Sequence, residues 1–345
     1  MIESHQILIT GAAGFIGYHL TKYFSSKENF QIVCLDNLNS YYDLDLKYDR
    51  LLNLGFKDIK NLKKTKSKSF VIYSVKNEKL IFHKQDLCDF DGLDKIFSKY
   101  NFKSVFHLAA QAGVRFSITN PAEYVNSNLF GFYNLLEVVK KYKISHTIFA
   151  SSSSVYGNSS KTFFRENQKT DEPVSFYAAT KKSNEILAHS YSKLYNLRFT
   201  GLRFFTVYGP WGRPDMAPYL FTNGIINNQK IKIFNNGNLE RDFTFIDDII
   251  EGINIVFESS SKNNYKIFNI GNGSPVKLLN FVKIIERNLD LNANLKLLPM
   301  QNGDVYKTCA DIFELKKIGY NPKISIDEGM NRYINWFLKY YKIEG

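Results

Sequence analysis

Cysteine is scarce: Cys34, Cys88 and Cys309 are the only three, far apart and without a CxxC pair. That excludes a disulfide framework, fits a reducing compartment and leaves no zinc signature. No histidine cluster makes good the lack, so no metal is expected. Long apolar runs are missing too, since the stretches from Gln6 to Ile9 and from Ser104 to Ala110 fall far short of the roughly 18 to 20 residues that cross a bilayer. Strand-like sequence begins by Ile7, which leaves no room for the charged and apolar parts of a signal peptide. A cytoplasmic protein without membrane contact is the expectation. There is no internal repeat and no heptad pattern. Acidic residues are few beside basic ones, 33 against 45, for a formal charge of +12. A nucleic-acid partner would call for basic residues clustered with stacking aromatics. Instead, eight lysines against Asp58 and Glu78 lie between Lys57 and Lys79. About half the excess is thus one insertion, read as a solvated surface loop and hairpin and not as a nucleic-acid site.

A chain of 345 residues, 44% of them hydrophobic, can bury a full core in one large domain or two smaller ones. From Gln6 the pattern runs strand (Ile7 to Thr10), glycine turn (Gly11 to Gly17), helix (His19 to Ser26) and strand (Gln31 to Asp36), a βαβ unit of about 30 residues. Further β-rich runs at Leu80 to Phe82, Ser104 to Leu108, Thr147 to Ser151 and Phe199 to Arg203 alternate with helical segments. They are apolar nearly throughout, as strands covered on both faces must be. One helix opens with Pro121 and runs to about Tyr142; another carries Tyr177 and runs to about Tyr195. Both are long and amphipathic enough to pack against a twin subunit. Beyond Arg203, Pro210, Pro214, Pro218 and the Asn- and Gly-rich stretches at 235–238 and 271–275 break the chain into short elements. The expected fold is α/β, a doubly wound parallel sheet of Rossmann type followed by a smaller α/β region.

A strand followed by Gly11, Gly14 and Gly17, with Phe15 and Ile16 between, provides a tight turn, close backbone approach to a pyrophosphate and a helix N-terminus facing it. By itself this also fits a glycine turn that holds nothing. The second strand, however, ends in Asp36, followed by Asn37, about 20 residues after the last glycine, where a carboxylate meets a ribose 2′-hydroxyl. That favours NAD, because an NADP 2′-phosphate would be repelled. Asp86 and Leu87 after the third strand, and Leu108, Ala109, Ala110 and Gln111 after the fourth, stand at carboxyl ends of strands, where open α/β sheets bind ligands.

Tyr177 and Lys181 are four residues apart on one helical face, and the serine cluster Ser151 to Ser154 precedes them at a strand end. A phenol with its ordinary pKa of about 10 is a poor base at neutral pH, and a nearby ammonium lowers that value by stabilising phenolate. With 22 tyrosines in the chain, YxxxK also arises by chance as an exposed helical pair. The order of glycine turn, Asp36, serine cluster and Tyr177 within one nucleotide-binding pattern favours the chemical reading.

With these motifs the chain resembles, over essentially its whole length, the extended short-chain dehydrogenase/reductases, which carry TGxxGxxG, a serine or threonine, and YxxxK. The resemblance implies that Tyr177 is the base and that Lys181 contacts the nicotinamide ribose and tunes Tyr177. It also implies that a serine hydroxyl holds the reacting sugar oxygen, with Ser152 and then Ser153 the candidates by spacing. Residues 1–203 with a returning segment near 236–268 would form the NAD-binding domain; 204–235 and 269–345 would bind a nucleotide sugar. The segment Arg241 to Asp248 resembles the family's nucleotide-sugar segment, in which Arg241 meets the diphosphate; beside Asp242, Arg241 also reads as a surface ion pair. Gln301 to Val305 resembles a second such segment, with a glutamine where many hexose epimerases have arginine. Arg115, Phe234 and Asp304 join the implied substrate residues.

The run from Leu202 to Ala217, with His107 to Arg115 and Tyr177 to Glu185, is similar to the UDP-glucuronate 4-epimerases. This implies that Thr206 and Arg213 hold the sugar carboxylate, although Arg213 before Pro214 also reads as a loop cap. Oxidation at C4 of a glucuronate makes a β-keto acid, and a planar bidentate grip on its carboxylate would oppose loss of CO₂. The implied activity is NAD-dependent interconversion of UDP-glucuronate and UDP-galacturonate through a 4-keto sugar, supplying polysaccharide precursors, by a homodimer joined through the two long helices. The alternatives are a UDP-glucuronate decarboxylase, a 4-epimerase of UDP-glucose or UDP-N-acetylglucosamine, or an NAD-sensing regulator of the same fold. A 4,6-dehydratase fits less well, because serines and Val155 stand where such enzymes have an acid pair. His19 and His107 are read as packing residues.

Overall fold

The computed structural model describes residues 5–65, 67, 69–159, 161–260, 263–301 and 305–343. The chain divides into two compact units. The first comprises residues 1–155, 175–202 and 259–267. Its elements in order are β1 (His5–Thr10), α1 (Phe15–Ser25), β2 (Phe30–Asp36), α2 (Leu44–Asn53), α3 (Ile59–Lys64), β3 (Phe70–Tyr73), β4 (Leu80–Lys84), α4 (Phe90–Lys99) and β5 (Phe102–His107). There follow α5 (Phe116–Thr119), α6 (Pro121–Tyr124), α7 (Gly131–Lys141), β6 (His146–Ser152), α8 (Phe176–Tyr195) and β7 (Phe199–Phe204). With the later strand Tyr265–Ile270 they build an eight-stranded sheet, in which that strand is followed by β7, β6, β5, β1, β2, β4 and β3.

The pairings of β1 with β2 and β5, of β2 with β4 and of β5 with β6 are parallel. Alternate residues serve opposite faces. Leu8, Val33 and Val105 join Phe97, Leu135 and Phe149 in one apolar cluster, while Phe106, the next residue along β5, meets Phe24 of α1 at 5.2 Å between ring centroids. Because helices cover both faces, β1 is apolar on both, with Ile7, Leu8 and Ile9 fully buried.

The lysine-rich stretch contains the expected hairpin, but a short helix, α3, stands in place of the loop. Ile59 and Leu62 are buried by α3, and β3 pairs antiparallel with β4 at the sheet edge. The helix expected from Pro121 to about Tyr142 is one run containing a π-helical turn, Val125–Phe130, between α6 and α7. That wide turn carries Asn128, which is buried and hydrogen-bonded to the backbone after β5.

The second unit comprises residues 156–174, 203–258 and 268–345. It contains β8 (Thr206–Tyr208), α9 (Ala217–Ile226), β9 (Lys230–Ile233), β10 (Glu240–Arg241), β11 (Phe243–Phe245) and α10 (Ile246–Glu258). The end of β12 (Tyr265–Ile270) follows, then β13 (Val276–Lys277), α11 (Leu278–Leu289), β14 (Asn294–Leu297), α12 (Phe313–Lys316) and α13 (Ile326–Tyr341). The sheets are small: β8 runs parallel to β11, β9 to β14, and β10 antiparallel to β13. Phe243 stacks on Phe281 of α11 at 4.2 Å and 8°.

This division differs from the sequence-based one, which gave the first domain residues 1–203 and 236–268. Only 259–267 return to the first unit. The preceding helix α10 is tied to the second, because the Asp248 carboxylate accepts the N–H groups of Lys323 at 2.9 Å and Ile324 at 3.1 Å. Residues 156–174 also leave the first unit. There the Phe164 N–H donates to the Cys309 carbonyl at 2.8 Å and the Asp311 N–H to the Phe164 carbonyl at 2.9 Å.

Candidate functional site

In the first unit, the turn between β1 and α1 is compressed to the point where only glycine fits. Gly11 has φ +70°, and a Cβ there would stand 2.7 Å from the Ala109 nitrogen and 2.8 Å from the Leu108 carbonyl carbon. A Cβ on Gly17 would lie 2.1 Å from the Gly11 oxygen. Helix α1 starts at Phe15 with Gly14 as its cap, no side-chain cap and no acidic residue in its first turn. The backbone N–H groups of that turn, including those of Phe15, Ile16 and Gly17, are what the helix end offers an anion. The turn is held from below by Arg50 of α2, fully buried, whose Nη1 donates to the Ala13 carbonyl at 2.7 Å and to the Tyr42 hydroxyl at 2.7 Å.

Asp36 ends β2 as the sequence pattern requires, and its carboxylate is fixed by backbone. Oδ2 accepts the Ala13 N–H at 3.1 Å and Oδ1 the Leu38 N–H at 2.8 Å. Asn37 donates to Asp86 Oδ2 at 2.9 Å, so two of the residues singled out by sequence are in direct contact, and Asp86 Oδ1 accepts the Cys88 N–H at 2.8 Å. The Leu87 carbonyl accepts from Asn134 at 2.8 Å. After β5, the Leu108 and Ala109 N–H groups donate to the Thr10 carbonyl and hydroxyl, both at 3.2 Å; Ala110 follows, and the Gln111 N–H donates to Asn128 at 2.8 Å. A glycine cradle, a helix end, and a carboxylate at the second strand end fit the phosphates and ribose of a dinucleotide.

Tyr177 and Lys181 lie on α8, whose N-terminus is capped by Ser175 accepting the Ala178 N–H at 3.1 Å. Tyr177 is half-buried, its ring 6.1 Å edge-on from that of Tyr124. Lys181 is buried, with Nζ donating to the Ala150 carbonyl near the end of β6 at 2.9 Å. Burial pushes its ammonium down to about 8, so the group is still mainly protonated at neutral pH. The four serines separate by partner. Ser151 donates to the buried Glu185 at 2.5 Å, whereas Ser152 accepts the Ser154 N–H at 3.1 Å. Ser153 opens a short 3₁₀ turn, Ser153–Tyr156. Arg115 is exposed at the start of α5.

Two buried groups escaped sequence reasoning. Asn128 links the Gln111 backbone to α8, donating to the Thr180 hydroxyl at 3.1 Å, while its own carbonyl accepts from Asn184 at 2.6 Å. Glu185, one helical turn after Lys181, is buried on α8 and accepts the Ser151 hydroxyl. A polar residue on the buried face of an otherwise amphipathic helix was the available signal for both. His107 is a packing residue: its Nδ1 lies 2.9 Å from the Thr10 hydroxyl, and burial pushes it down to about 3. His19 packs edge-on against Phe15 and Tyr18.

In the second unit, Thr206 opens β8, its N–H donating to the Asp242 carbonyl at 3.0 Å. Arg213 is not a bare loop cap: its Nε donates to Asp215 Oδ1 at 2.9 Å and its Nη2 to Asp215 Oδ2. Phe234 is half-buried at the end of β9. Arg241, on β10, donates to the Glu240 carbonyl at 2.9 Å and the Tyr306 carbonyl at 3.3 Å. Its neighbour Asp242 is buried, receiving the N–H groups of Asn272, Gly273 and Ala310. Asp304 lies outside the described residues.

Residues 7–271 match the model of the NAD dependent epimerase/dehydratase family. Protein CapI of Staphylococcus aureus is 44% identical, over 98% of this chain and 99% of its own length. UDP-glucuronate 4-epimerase 4 of Arabidopsis thaliana is 42% identical, over 97% of this chain and 76% of its own. Among solved structures, the UDP-glucuronic acid 4-epimerase of Bacillus cereus in complex with UDP-glucuronic acid and NAD superposes with a TM-score of 0.86 at 30% identity, covering 97% of this chain and all of that one.

Proposed function

The chain belongs to the NAD dependent epimerase/dehydratase family, and from that premise we propose that it is an isomerase interconverting UDP-glucuronate and UDP-galacturonate at C4. Supporting this reading are the chain-length likeness to enzymes named for this reaction and the Tyr177–Lys181 pair on α8. The carrying observation is the burial of Lys181 against the end of β6, which puts a fixed cation one turn from a half-buried phenol.

NAD, when bound along Gly11, Gly14, Gly17 and Asp36, supplies the acceptor and later the donor of the C4 hydride. Tyr177, as phenolate, takes the C4 hydroxyl proton, and the Lys181 ammonium stabilises that phenolate. Ser152 or Ser153 holds the reacting oxygen by a hydrogen bond. The 4-keto sugar then turns about its diphosphate link so that the opposite face of C4 would meet the returning hydride, and Tyr177 gives the proton back to the C4 oxygen. Arg213 and Thr206 hold the C6 carboxylate, and a guanidinium fork fixes its plane. Arg115, Phe234, Arg241 and Asp304 bind the nucleotide and its diphosphate.

Among the described residues no helix is long and apolar enough to cross a membrane. The reading extends to a cytoplasmic homodimer, joined through α6–α7 and α8, that supplies polysaccharide precursors.

Incubating the purified protein with UDP-glucuronate is the test. UDP-galacturonate without CO₂ is the expected product. A UDP-pentose with CO₂ would make it a decarboxylase, turnover of UDP-glucose alone a hexose epimerase, and no turnover a sensor. Tyr177→Phe is expected to abolish epimerisation while melting temperature and NAD binding stay unchanged; a near-normal rate would remove Tyr177 from its role.

A further inference from the structure

The segment from Gly209 to Met216 is built to hold one side chain still. Gly209 has φ +143°, and a Cβ there would meet the Ile246 side chain at 2.6 Å, so the chain enters the loop against α10. Trp211 packs its ring 5.0 Å from Tyr340 and 5.5 Å from Trp336, both on α13. The Gly212 N–H donates back to the Gly209 carbonyl at 3.0 Å, and α9 begins directly after Met216 with Pro218 in its first turn. On this anchored loop Asp215 grips Arg213 by both carboxylate oxygens, through Nε and Nη2, with only 22% and 28% of the two side chains exposed. A solvated ion pair between long side chains has little orientational effect. A bidentate, partly buried one two residues apart on a fixed loop sets the plane of the guanidinium.

Resting on the function proposed above, we infer that Asp215 is the positioning residue that prevents the 4-keto sugar from losing CO₂. A planar guanidinium held by its Nε–Nη2 edge has its Nη1 directed away from that edge, so Asp215 sets the direction from which Arg213 meets a second carboxylate. The orientation of the sugar acid decides the fate of the intermediate. In the β-keto acid, the C5–C6 bond breaks when it lies perpendicular to the C4 carbonyl plane. Its electron pair then passes into the C4 enolate, CO₂ leaves, and C5 takes a proton. The two electrons removed from C4 remain with the dinucleotide unless the resulting 4-keto pentose is reduced in turn. With the guanidinium fixed, the acid is held out of that alignment. With Asp215 gone, Arg213 keeps its charge and still attracts the acid but no longer dictates its plane. Binding is therefore largely retained while the partition between epimerisation and decarboxylation shifts.

The experiment measures CO₂ released per UDP-galacturonate formed from UDP-glucuronate labelled at C6. Asp215→Asn keeps the volume but turns one acceptor into a donor facing Nη2. Its CO₂ share is expected to rise on the order of tenfold, the size of one lost charge-assisted hydrogen bond, with KM changed less than the partition. Asp215→Glu, which restores a carboxylate, is expected to move the ratio back toward the parent value. Arg213→Lys, which keeps the charge but cannot form the fork, provides the same reading should the Asn variant not fold. If the parent enzyme makes no UDP-galacturonate, the proposed function falls and this inference with it. If the parent does, and folded Asp215→Asn releases no more CO₂ than the parent, only the role of Asp215 is overturned; the same result from Arg213→Lys overturns it together with the carboxylate fork proposed for Arg213.

Discussion

Replacing Lys181 tests the catalytic reading through pH, because the structure gives this residue an alkaline limit of its own. Its Nζ donates to the Ala150 carbonyl at 2.9 Å in a position only 2% exposed, and burial pushes the ammonium from 10.5 down to about 8. At about 1.4 kcal/mol per pH unit, the interior disfavours the charged form by roughly 3 kcal/mol. Between about 8 and 10.5 the unfolded chain binds this proton and the folded one does not, so the residue's contribution to stability rises with pH there and is least favourable below about 8. Activity moves oppositely. The phenolate of Tyr177 needs the ammonium beside it, so above pH of about 8 the rate should fall toward tenfold per unit. The assay is the initial rate of UDP-glucuronate epimerisation from pH 6 to 10, with melting temperature followed in the same buffers. Lys181→Arg, which keeps its proton throughout, should work more slowly and lose the alkaline limb. Lys181→Met should be nearly inactive at every pH, and at pH 7 no less stable than the parent, because the cost of burying the charge is relieved. A parent rate still climbing between pH 8.5 and 10 would refute the reasoning.

Two further substitutions test the scaffold around these groups. Gly17→Ala would drive a methyl to 2.1 Å from the Gly11 oxygen, a backbone atom with no room to yield, so loss of more than about 4 kcal/mol or failure to fold is expected by thermal melting; a stable Ala variant that binds NAD normally would contradict the compressed turn. Ser151→Ala deprives the buried Glu185 of a 2.5 Å donor and should cost about 1 to 3 kcal/mol in a denaturant titration; an unchanged midpoint would show that this bond does not tie α8 to β6.

The sheet was legible because its strands have to be apolar on both faces. Ile7 to Ile9 and Val105 to Phe106 alternate between the α4–α7 side and the α1 side, and all five are fully buried. The same sequence marks a break near Arg203 but not that α10 lies beyond it in the second unit. Nothing local marks α10 as belonging to it; the reason is Asp248 capping the Lys323 and Ile324 N–H groups, 75 and 76 residues later. The π-helical turn at Val125–Phe130 was hidden for a similar reason. It places Asn128 on the Gln111 backbone, a contact across 17 residues that no 3.6-residue pattern encodes.

Spacing reveals a group when one element sets its geometry. Tyr177 and Lys181 share a helical face, and Gly11, Gly14 and Gly17 share a turn, so counting residues already gives their arrangement. It fails for groups defined by what they touch. Spacing to Tyr177 favours Ser152 and then Ser153 but gives Ser151 no partner; in the structure Glu185 accepts the Ser151 hydroxyl, which makes Ser151 the least available of the four to hold a substrate. Asp215 is the sharper instance. In sequence it is an acid following a proline, and its spacing of two from Arg213 predicts no contact in a helix. Only the irregular loop, pinned by Trp211 on α13, brings the two side chains face to face. A motif that reads as one arginine is therefore physically a pair, and specificity for an acid over a neutral sugar need not reside in the cation alone: the anion that orients it decides which plane the cation presents.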